Sequence, residues 1–134
     1  MGKVYVLHEI LVFGEMLNYV HSFLSALVVT VGIETTVLFL LVRMYWKREH
    51  FNFGNGKLFF SGILASFATI PYVWLVFPVL LYHDRGIALL YGEVSAFFVE
   101  AVIYFFVLDI SMKRALAISL ICNAVSFSFG KFLF

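Results

Sequence analysis

The sequence predicts an all-α polytopic membrane protein with four transmembrane helices, arranged as two pseudo-repeated helical hairpins behind an amphipathic or extended N-terminal helix. Hydrophobic residues occupy 63% of the 134 positions and charged residues only 13%, whereas soluble domains are about half apolar and a quarter charged. Several apolar runs reach the about 20 helical residues that a bilayer core of about 30 Å requires. Similar polar residues also recur at similar depth in both halves of the chain.

The predicted spans are 22–42, 58–81, 88–108 and 115–134. Residues 1–134 therefore form a single membrane domain, in which 22–81 is the first hairpin and 88–134 the second. In segment 1–21, polar residues recur every seven positions, as expected of a helix lying in the membrane interface. The alternative is that this segment extends the first span. A cleaved signal peptide is not predicted, because a small-residue cleavage site does not follow the segment.

Positive charge concentrates in two connections, which predicts the orientation. Loop 43–57 and loop 109–114 hold the clustered cations, namely Arg43, Lys47, Arg48, Lys57, Lys113 and Arg114. The positive-inside rule places both loops in the cytoplasm. We therefore expect a multi-pass protein of the cell membrane with both termini outside.

Each span carries one strongly polar residue near its middle. These residues are Glu34, Ser66, Glu100 and Asn123, and each is nine positions from a charged residue at the predicted cytoplasmic end. At about 1.5 Å per residue they lie about 14 Å deep, close to the bilayer midplane. One such residue from every helix predicts a shared polar site.

Small and polar residues spaced by three or four extend from these positions along each helix. The rows are Ser22, Ala26, Thr30 and Glu34; Gly62, Ser66 and Thr69; Gly92, Ala96 and Glu100; and Ala115, Ser119, Asn123, Ser126 and Gly130. Such rows are the packing seams of membrane helices. We expect the four seams to meet, with Thr30, Gly62, Ala96 and Ser119 among the packing residues, and the larger apolar side chains to contact lipid.

The polar residues also indicate a weak internal repeat. Glu34 followed by Ser66 and Thr69 matches Glu100 followed by Asn123 and Ser126. A repeat of this kind relates two hairpins by an axis along the membrane normal, with a site between them. It predicts that both glutamates lie near that axis.

The two glutamates are the main functional candidates, because a carboxylate at membrane depth is costly. No Lys, Arg or His is found at the same predicted depth, so three states are open: both protonated, one proton shared, or a cation held with nearby Ser, Thr and Asn oxygens. The competing interpretation is that they are interhelical hydrogen-bond partners only. Glu93 is interpreted as an interfacial charge, with a relay toward the outer solvent as the alternative.

Pro71 is predicted to bend the second helix, because it cannot donate a hydrogen bond to the carbonyl of Phe67. The freed carbonyl is a candidate ligand beside Ser66 and Thr69. A kink used only for packing is an equal alternative, since proline is common in membrane helices.

Several functional classes are disfavoured by composition and motifs. A net charge of +1 argues against a nucleic-acid partner, and the single cysteine, Cys122, allows no internal disulfide. The chain lacks a Gly-rich phosphate loop, a His-Glu-x-x-His motif and a G-x-S-x-G elbow. We therefore predict no cofactor, no metal centre and no enzymatic activity, with an intramembrane enzyme using the paired glutamates as an alternative.

The segments "IPYVWLVFP" at 70–78, "EAVIYFF" at 100–106 and "LAISLICNAVSFSFG" at 116–130 resemble parts of a family of small four-helix prokaryotic integral membrane proteins with no assigned activity. The resemblance extends over most of 23–134. It implies the fold class and supplies no substrate, cofactor or catalytic residue.

The predicted function is a small proton- or cation-linked transporter or channel-like protein. Glu34 and Glu100 are its charged ligands, and Ser66, Thr69, Asn123 and Ser126 supply supporting oxygens. Its partners are the lipid bilayer and other chains, either as a homo-oligomer, since four helices enclose little volume, or as a subunit of a larger complex. The alternative is a structural or accessory subunit whose buried polar residues only specify helix packing.

Overall fold

A computed structural model describes the backbone of residues 2–45 and 53–133 and the side chains of 12–44 and 53–130. Within these ranges every regular element is helical. The elements are α1 (Gly2–Tyr45), α2 (Asn55–Pro71), a π-helical turn (Tyr72–Val76), α3 (Phe77–Leu80), α4 (Arg85–Leu108) and α5 (Met112–Leu133).

Four helical stretches of the described chain are long and apolar enough to cross a membrane. They are Val12–Met44, Asn55–Leu80, Arg85–Leu108 and Met112–Gly130, with mean hydropathies of 2.1, 2.0, 1.7 and 1.2. The all-helical class and the four candidate spans are thereby confirmed, and they indicate a multi-pass membrane protein.

The first span differs most from its predicted bounds of 22–42. The helix does not break at Ser22, because no Pro or Gly interrupts residues 15–31. The side chains of 1–11, on which the amphipathic pattern partly depends, lie outside the described residues. So do Trp46, Lys47 and Arg48 of the first loop. The interfacial or extended N-terminal helix stays a prediction.

Local sequence explains both ends of α4. The Asp84 carboxylate accepts hydrogen bonds from the backbone N–H groups of Gly86 at 2.9 Å and Ile87 at 3.0 Å, which satisfies donors that a helix start leaves unpaired. Asp109 ends the helix in the left-handed region with φ of 53°, a conformation that Asp tolerates better than most residues. The resulting turn is tight, and α5 begins at Met112.

The helix that contains α2 changes its winding directly after Pro71. Proline has no N–H to donate, and the following residues form the π-helical turn, in which the Phe77 N–H bonds to the Tyr72 carbonyl. The Tyr19 hydroxyl of α1 donates to the Trp74 carbonyl in this turn. The Tyr19 and Trp74 ring centroids lie 6.1 Å apart, so α1 packs against the distorted segment.

The four long helices form a ring in which α1 contacts α2, α2 contacts α4, α4 contacts α5, and α5 contacts α1. We call the end that carries residues 81–84 the open end and the end that carries residues 109–111 the closed end. A dense apolar core fills the closed end. Its fully buried members include Leu38, Leu58, Tyr104, Leu108 and Ile118.

Candidate functional site

The two glutamates occupy facing positions in the middle of the ring. Glu34 comes from α1 and Glu100 from α4, and their residues are only 2% and 1% exposed. The helices between them, α2 and α5, supply the hydrogen-bond donors. The site is therefore built from all four long helices.

Glu34 accepts one hydrogen bond on each carboxyl oxygen. The Ser66 hydroxyl lies 2.6 Å from Oε2, and the Ser126 hydroxyl lies 2.7 Å from Oε1. Because Ser66 belongs to α2 and Ser126 to α5, this carboxyl connects three helices.

Glu100 is held in the same way by the same two helices. The Thr69 hydroxyl of α2 lies 3.1 Å from Oε1. On α5, the Asn123 amide donates to Oε2 and the Ser119 hydroxyl lies 3.3 Å from the same oxygen. The structure thus brings together the six residues that the sequence grouped, and it adds Ser119, which the sequence placed only among packing residues.

The donors alternate between the two carboxyls along α2 and α5. Ser66 and Thr69 are three residues apart, as are Asn123 and Ser126, and residues at this spacing are neighbours on one helix face. One member of each pair binds Glu34 and the other binds Glu100. The two carboxyls therefore lie within about one helical turn, or about 5 Å, of each other along the axis.

Each hydroxyl at the site also has a second acceptor. The alternative backbone acceptors are Gly62 O at 3.0 Å from Ser66, Ala65 O at 3.1 Å from Thr69, Phe97 O at 2.8 Å from Ser119 and Asn123 O at 3.2 Å from Ser126. A hydroxyl has only one hydrogen to donate but can also accept. It can donate to an ionised carboxylate, or accept from a protonated carboxyl while donating to the carbonyl, so the network satisfies both protonation states.

The hydrogen-bond partners of the two carboxyls among the described residues are all neutral. They are hydroxyls and one amide. A countercharge for an ionised carboxylate must therefore come from a proton or a cation rather than from these side chains.

A cavity of about 730 Å³ lies above the carboxyls, and Glu34 and Glu100 are at its base. Its lining reaches Tyr82 and Arg85, which are exposed at the open end. Arg85 and Glu100 are fifteen residues apart on α4, so the cavity is about 22 Å deep at about 1.5 Å per residue.

The predicted packing seams differ in how closely the helices approach one another at different depths. A Cβ on Gly62 would lie only 2.7 Å from Thr35 Oγ1 and 3.0 Å from Thr35 Cα, so α1 and α2 approach closely there. Thr30 and Ala96 instead line the cavity. Small residues thus permit close helix contact at one depth and leave open space at another.

Glu93 lies on the cavity wall, and its interpretation as an interfacial charge stays a prediction. It is seven residues from Glu100, nearly two helical turns, which puts both on one face of α4. It is partly buried and makes no hydrogen bond to the described residues. The seven-residue spacing was the sequence signal for this placement.

Beyond the carboxyls, toward the closed end, two buried hydroxyls of the described residues make no hydrogen bond of ordinary geometry. These are Thr35 Oγ1 and Tyr104 Oη. Tyr104 is four residues after Glu100 and lies beside the Cys122 thiol. The Cys122 thiol itself is 3.7 Å from the backbone oxygen of Glu34, so this part of the core directly adjoins the site.

Pro71 ends α2 directly before the π-helical turn, and its neighbours Ile70 and Val73 line the cavity. The suggested role of the Phe67 carbonyl as a ligand stays a prediction. In the described part of the chain, no three His, Cys, Asp or Glu residues are grouped so that they could hold a metal ion.

Comparison with known proteins finds no match to a protein-family model, to a curated protein or to a solved structure. The resemblance to small four-helix prokaryotic membrane proteins stays a prediction, and function must be argued from the site itself.

Proposed function

We propose that the protein is a small transporter or channel-like protein of the cell membrane that is linked to a proton or a cation through Glu34 and Glu100. One observation carries this proposal: the two buried carboxyls lie at the base of a cavity whose described lining residues extend to the open end of the bundle. Carboxyls that served packing alone would not require a cavity above them.

The proposal is supported by the charge balance of the site. Two neighbouring carboxylates in a poorly solvated interior repel each other and each carries a desolvation cost. A proton held by the pair removes this cost, and a bound cation removes it equally well. Exchange of one for the other is the elementary step of a proton-linked transporter.

The exchange of a proton for a cation is also supported by the two hydrogen-bond acceptors that each hydroxyl of the site can reach. When a proton leaves Glu34, the Ser66 hydroxyl can rotate from the Gly62 carbonyl to the carboxylate. In either state the Ser66 hydroxyl hydrogen keeps an acceptor and the Glu34 oxygen keeps a partner, which avoids the about 1–3 kcal/mol that an unpaired buried group costs. The site can therefore change charge without rebuilding the helices.

The internal repeat is part of the proposal. Glu34 accepts from Ser66 of its own hairpin and from Ser126 of the other. Glu100 accepts from Asn123 of its own hairpin and from Thr69 of the other. This reciprocity is what an axis between two equivalent hairpins predicts.

For orientation, we propose that the open end faces outside together with both termini, and that loops 43–57 and 109–114 face the cytoplasm. The cavity belongs to a single chain, so a second copy is not needed to build the site. Assembly into a homo-oligomer or a larger complex is a separate proposal that the cavity does not require.

The test compares Glu34→Gln and Glu100→Gln with the wild type. Gln keeps the size and hydrogen-bonding capacity of a neutral carboxyl but cannot ionise. The thermal stability of purified protein is measured against pH and against Na⁺, K⁺, Mg²⁺ and Ca²⁺. We expect the wild type to respond to pH or to a cation and both variants to lose the response, since a ligand at a hundredfold excess over Kd stabilises by about 2.7 kcal/mol.

Glu15→Gln is the matched control, because Glu15 lies on α1 nineteen residues before Glu34, is exposed, and is outside the buried carboxyl site. It should respond as the wild type does. If the wild type, both site variants and the control all respond alike, the buried carboxyls only hold the helices together, and the accessory-subunit interpretation is the correct one.

A further inference from the structure

We propose that the ligand of this site is an elongated organic cation, meaning an ammonium or similarly charged group on an apolar body. The inference rests on the proposed function and specifies its substrate class. The charged group would lie at Glu34 and Glu100, and the body would extend along the cavity past Trp74 toward the open end.

The size and shape of the cavity favour an organic molecule. A volume of about 730 Å³ falls within the about 300–1,000 Å³ typical of small-molecule sites. Spread over a depth of about 22 Å, this volume describes a narrow channel rather than a round chamber. An extended chain fits such a space, whereas a bare ion would leave nearly all of it empty.

Among the described residues, no third His, Cys, Asp or Glu side chain joins the two glutamates in a group that could hold a metal ion. Ca²⁺ takes six to eight oxygen ligands and Mg²⁺ demands near-ideal octahedral geometry. Here all four carboxyl oxygens already face a hydroxyl or amide hydrogen-bond donor. A diffuse organic charge needs no such shell, since it is stabilised by the field of the carboxylates and by aromatic faces.

The walls between the base and the open end are mostly apolar. Val29, Ile70, Val73 and Leu89 contribute aliphatic surface, and Trp74 contributes an aromatic ring. An inorganic ion that kept its water would find few polar partners along this stretch. An alkyl or aryl body would be in contact with the walls throughout.

The charges along the cavity favour a cation over an anion. Glu93 lies on the wall about 10 Å above Glu100, at about 1.5 Å per residue. Arg85 is the cationic lining residue among those described, but it is exposed at the open end, where water and salt screen its charge. An entering cation would meet Glu93 first and the buried pair second.

The test uses Trp74 as the reporter, in a Trp46→Phe background that removes the other of the two tryptophans. The probes are octyltrimethylammonium, octanol as a neutral chain of equal length, and tetramethylammonium as the charged group without the chain. We expect saturable change of Trp74 emission with octyltrimethylammonium only. Equal response to octanol would mean nonspecific partitioning and would overturn the inference.

Variants then locate the charge. Glu34→Gln and Glu100→Gln should each weaken octyltrimethylammonium binding roughly tenfold or more, because a buried charge pair loses one partner. Glu15→Gln should leave binding unchanged. Ala96→Leu fills the cavity without altering charge and should also weaken binding, so the inference remains testable if a glutamate variant fails to fold. Normal binding by Ala96→Leu would contradict the proposed location.

The outcomes separate this inference from the proposed function. If inorganic cations or pH give a glutamate-dependent response while octyltrimethylammonium does not bind, the substrate class is wrong and the proposed function stands. If neither response depends on the glutamates, both proposals fail.

Discussion

The two halves of the bundle use the same four helices but differ in what fills the space between them. Toward the closed end, large side chains such as Leu38, Leu58 and Ile118 are completely buried. Toward the open end, small residues such as Ala26 and Ala96 line a cavity. The carboxyls lie where the dense half meets the open half.

This difference shows how one helical bundle can be rigid and accessible at once. Interlocking side chains of the closed half fix the separation of the helices. That separation continues into the open half, where the side chains are too small to fill it. The π-helical turn at Tyr72–Val76 lies in the open half, and its residues Val73 and Trp74 line the cavity.

The largest expected effect is the difference in unfolding free energy between two Leu→Ala variants, one in each half of the bundle. Leu38→Ala removes a completely buried side chain from the closed half, and Leu→Ala changes in cores cost about 2–5 kcal/mol. We expect the lower part of that range, since in lipid the unfolded helix also keeps its leucine in an apolar medium. Leu89→Ala trims the cavity wall, where Leu89 is 43% exposed, and should cost less than about 1 kcal/mol.

The free energy of unfolding of both variants is measured by reversible unfolding in mixed micelles. A second measurement compares octyltrimethylammonium binding by the same two variants. Leu89→Ala should alter this binding more than Leu38→Ala does. Equal unfolding energies for the two variants would mean that the halves do not differ in packing.

How far the sequence could predict this structure depends on the kind of signal. The four candidate spans follow from apolar length, which requires no knowledge of packing. The grouping of Glu34 with Ser66 and of Glu100 with Asn123 followed from equal depth and helical spacing, and the structure places each pair in hydrogen-bond contact.

The cavity could not be predicted, because a row of small residues is compatible with two outcomes. Gly62 and Ala96 belong to equivalent rows in the sequence, yet the first is pressed against Thr35 and the second faces open space. The choice depends on how large side chains elsewhere set the helix separation. The hydrogen bond from Ser119 to Glu100 likewise depends on the rotation of α5, which spacing alone does not fix.

An intermediate effect is expected where α1 and α2 cross. In Gly62→Ala the added Cβ would meet the Thr35 backbone at 3.0 Å, and backbone cannot move aside as a flexible side chain can. Overpacking of this kind costs about 1–3 kcal/mol, and it should also displace Ser66 from Glu34.

Gly32→Ala is the matched control on α1, because no atom outside the adjoining backbone and chain neighbours lies within 4 Å of its added Cβ. Alanine in place of glycine within a helix should be neutral or stabilise by up to about 1 kcal/mol. The comparison is made by thermal unfolding, and a Gly62→Ala variant as stable as Gly32→Ala would show that the helices do not cross closely at this residue.

The smallest expected change in stability is at Tyr104, and it bears most directly on how the closed half relates to function. Its hydroxyl is buried beside the Cys122 thiol, which forms at most a weak hydrogen bond with it, so Tyr104→Phe removes a polar group that contributes little to packing. Stability should stay the same or rise by up to about 1 kcal/mol. If the closed half must open for an ion or proton to leave, this hydroxyl and the buried hydroxyls of Thr35 and Ser61 are polar groups that it would meet beyond Glu100. Cation or proton flux in reconstituted vesicles should then fall in Tyr104→Phe although the protein is no less stable, and unchanged flux would place the exit route elsewhere.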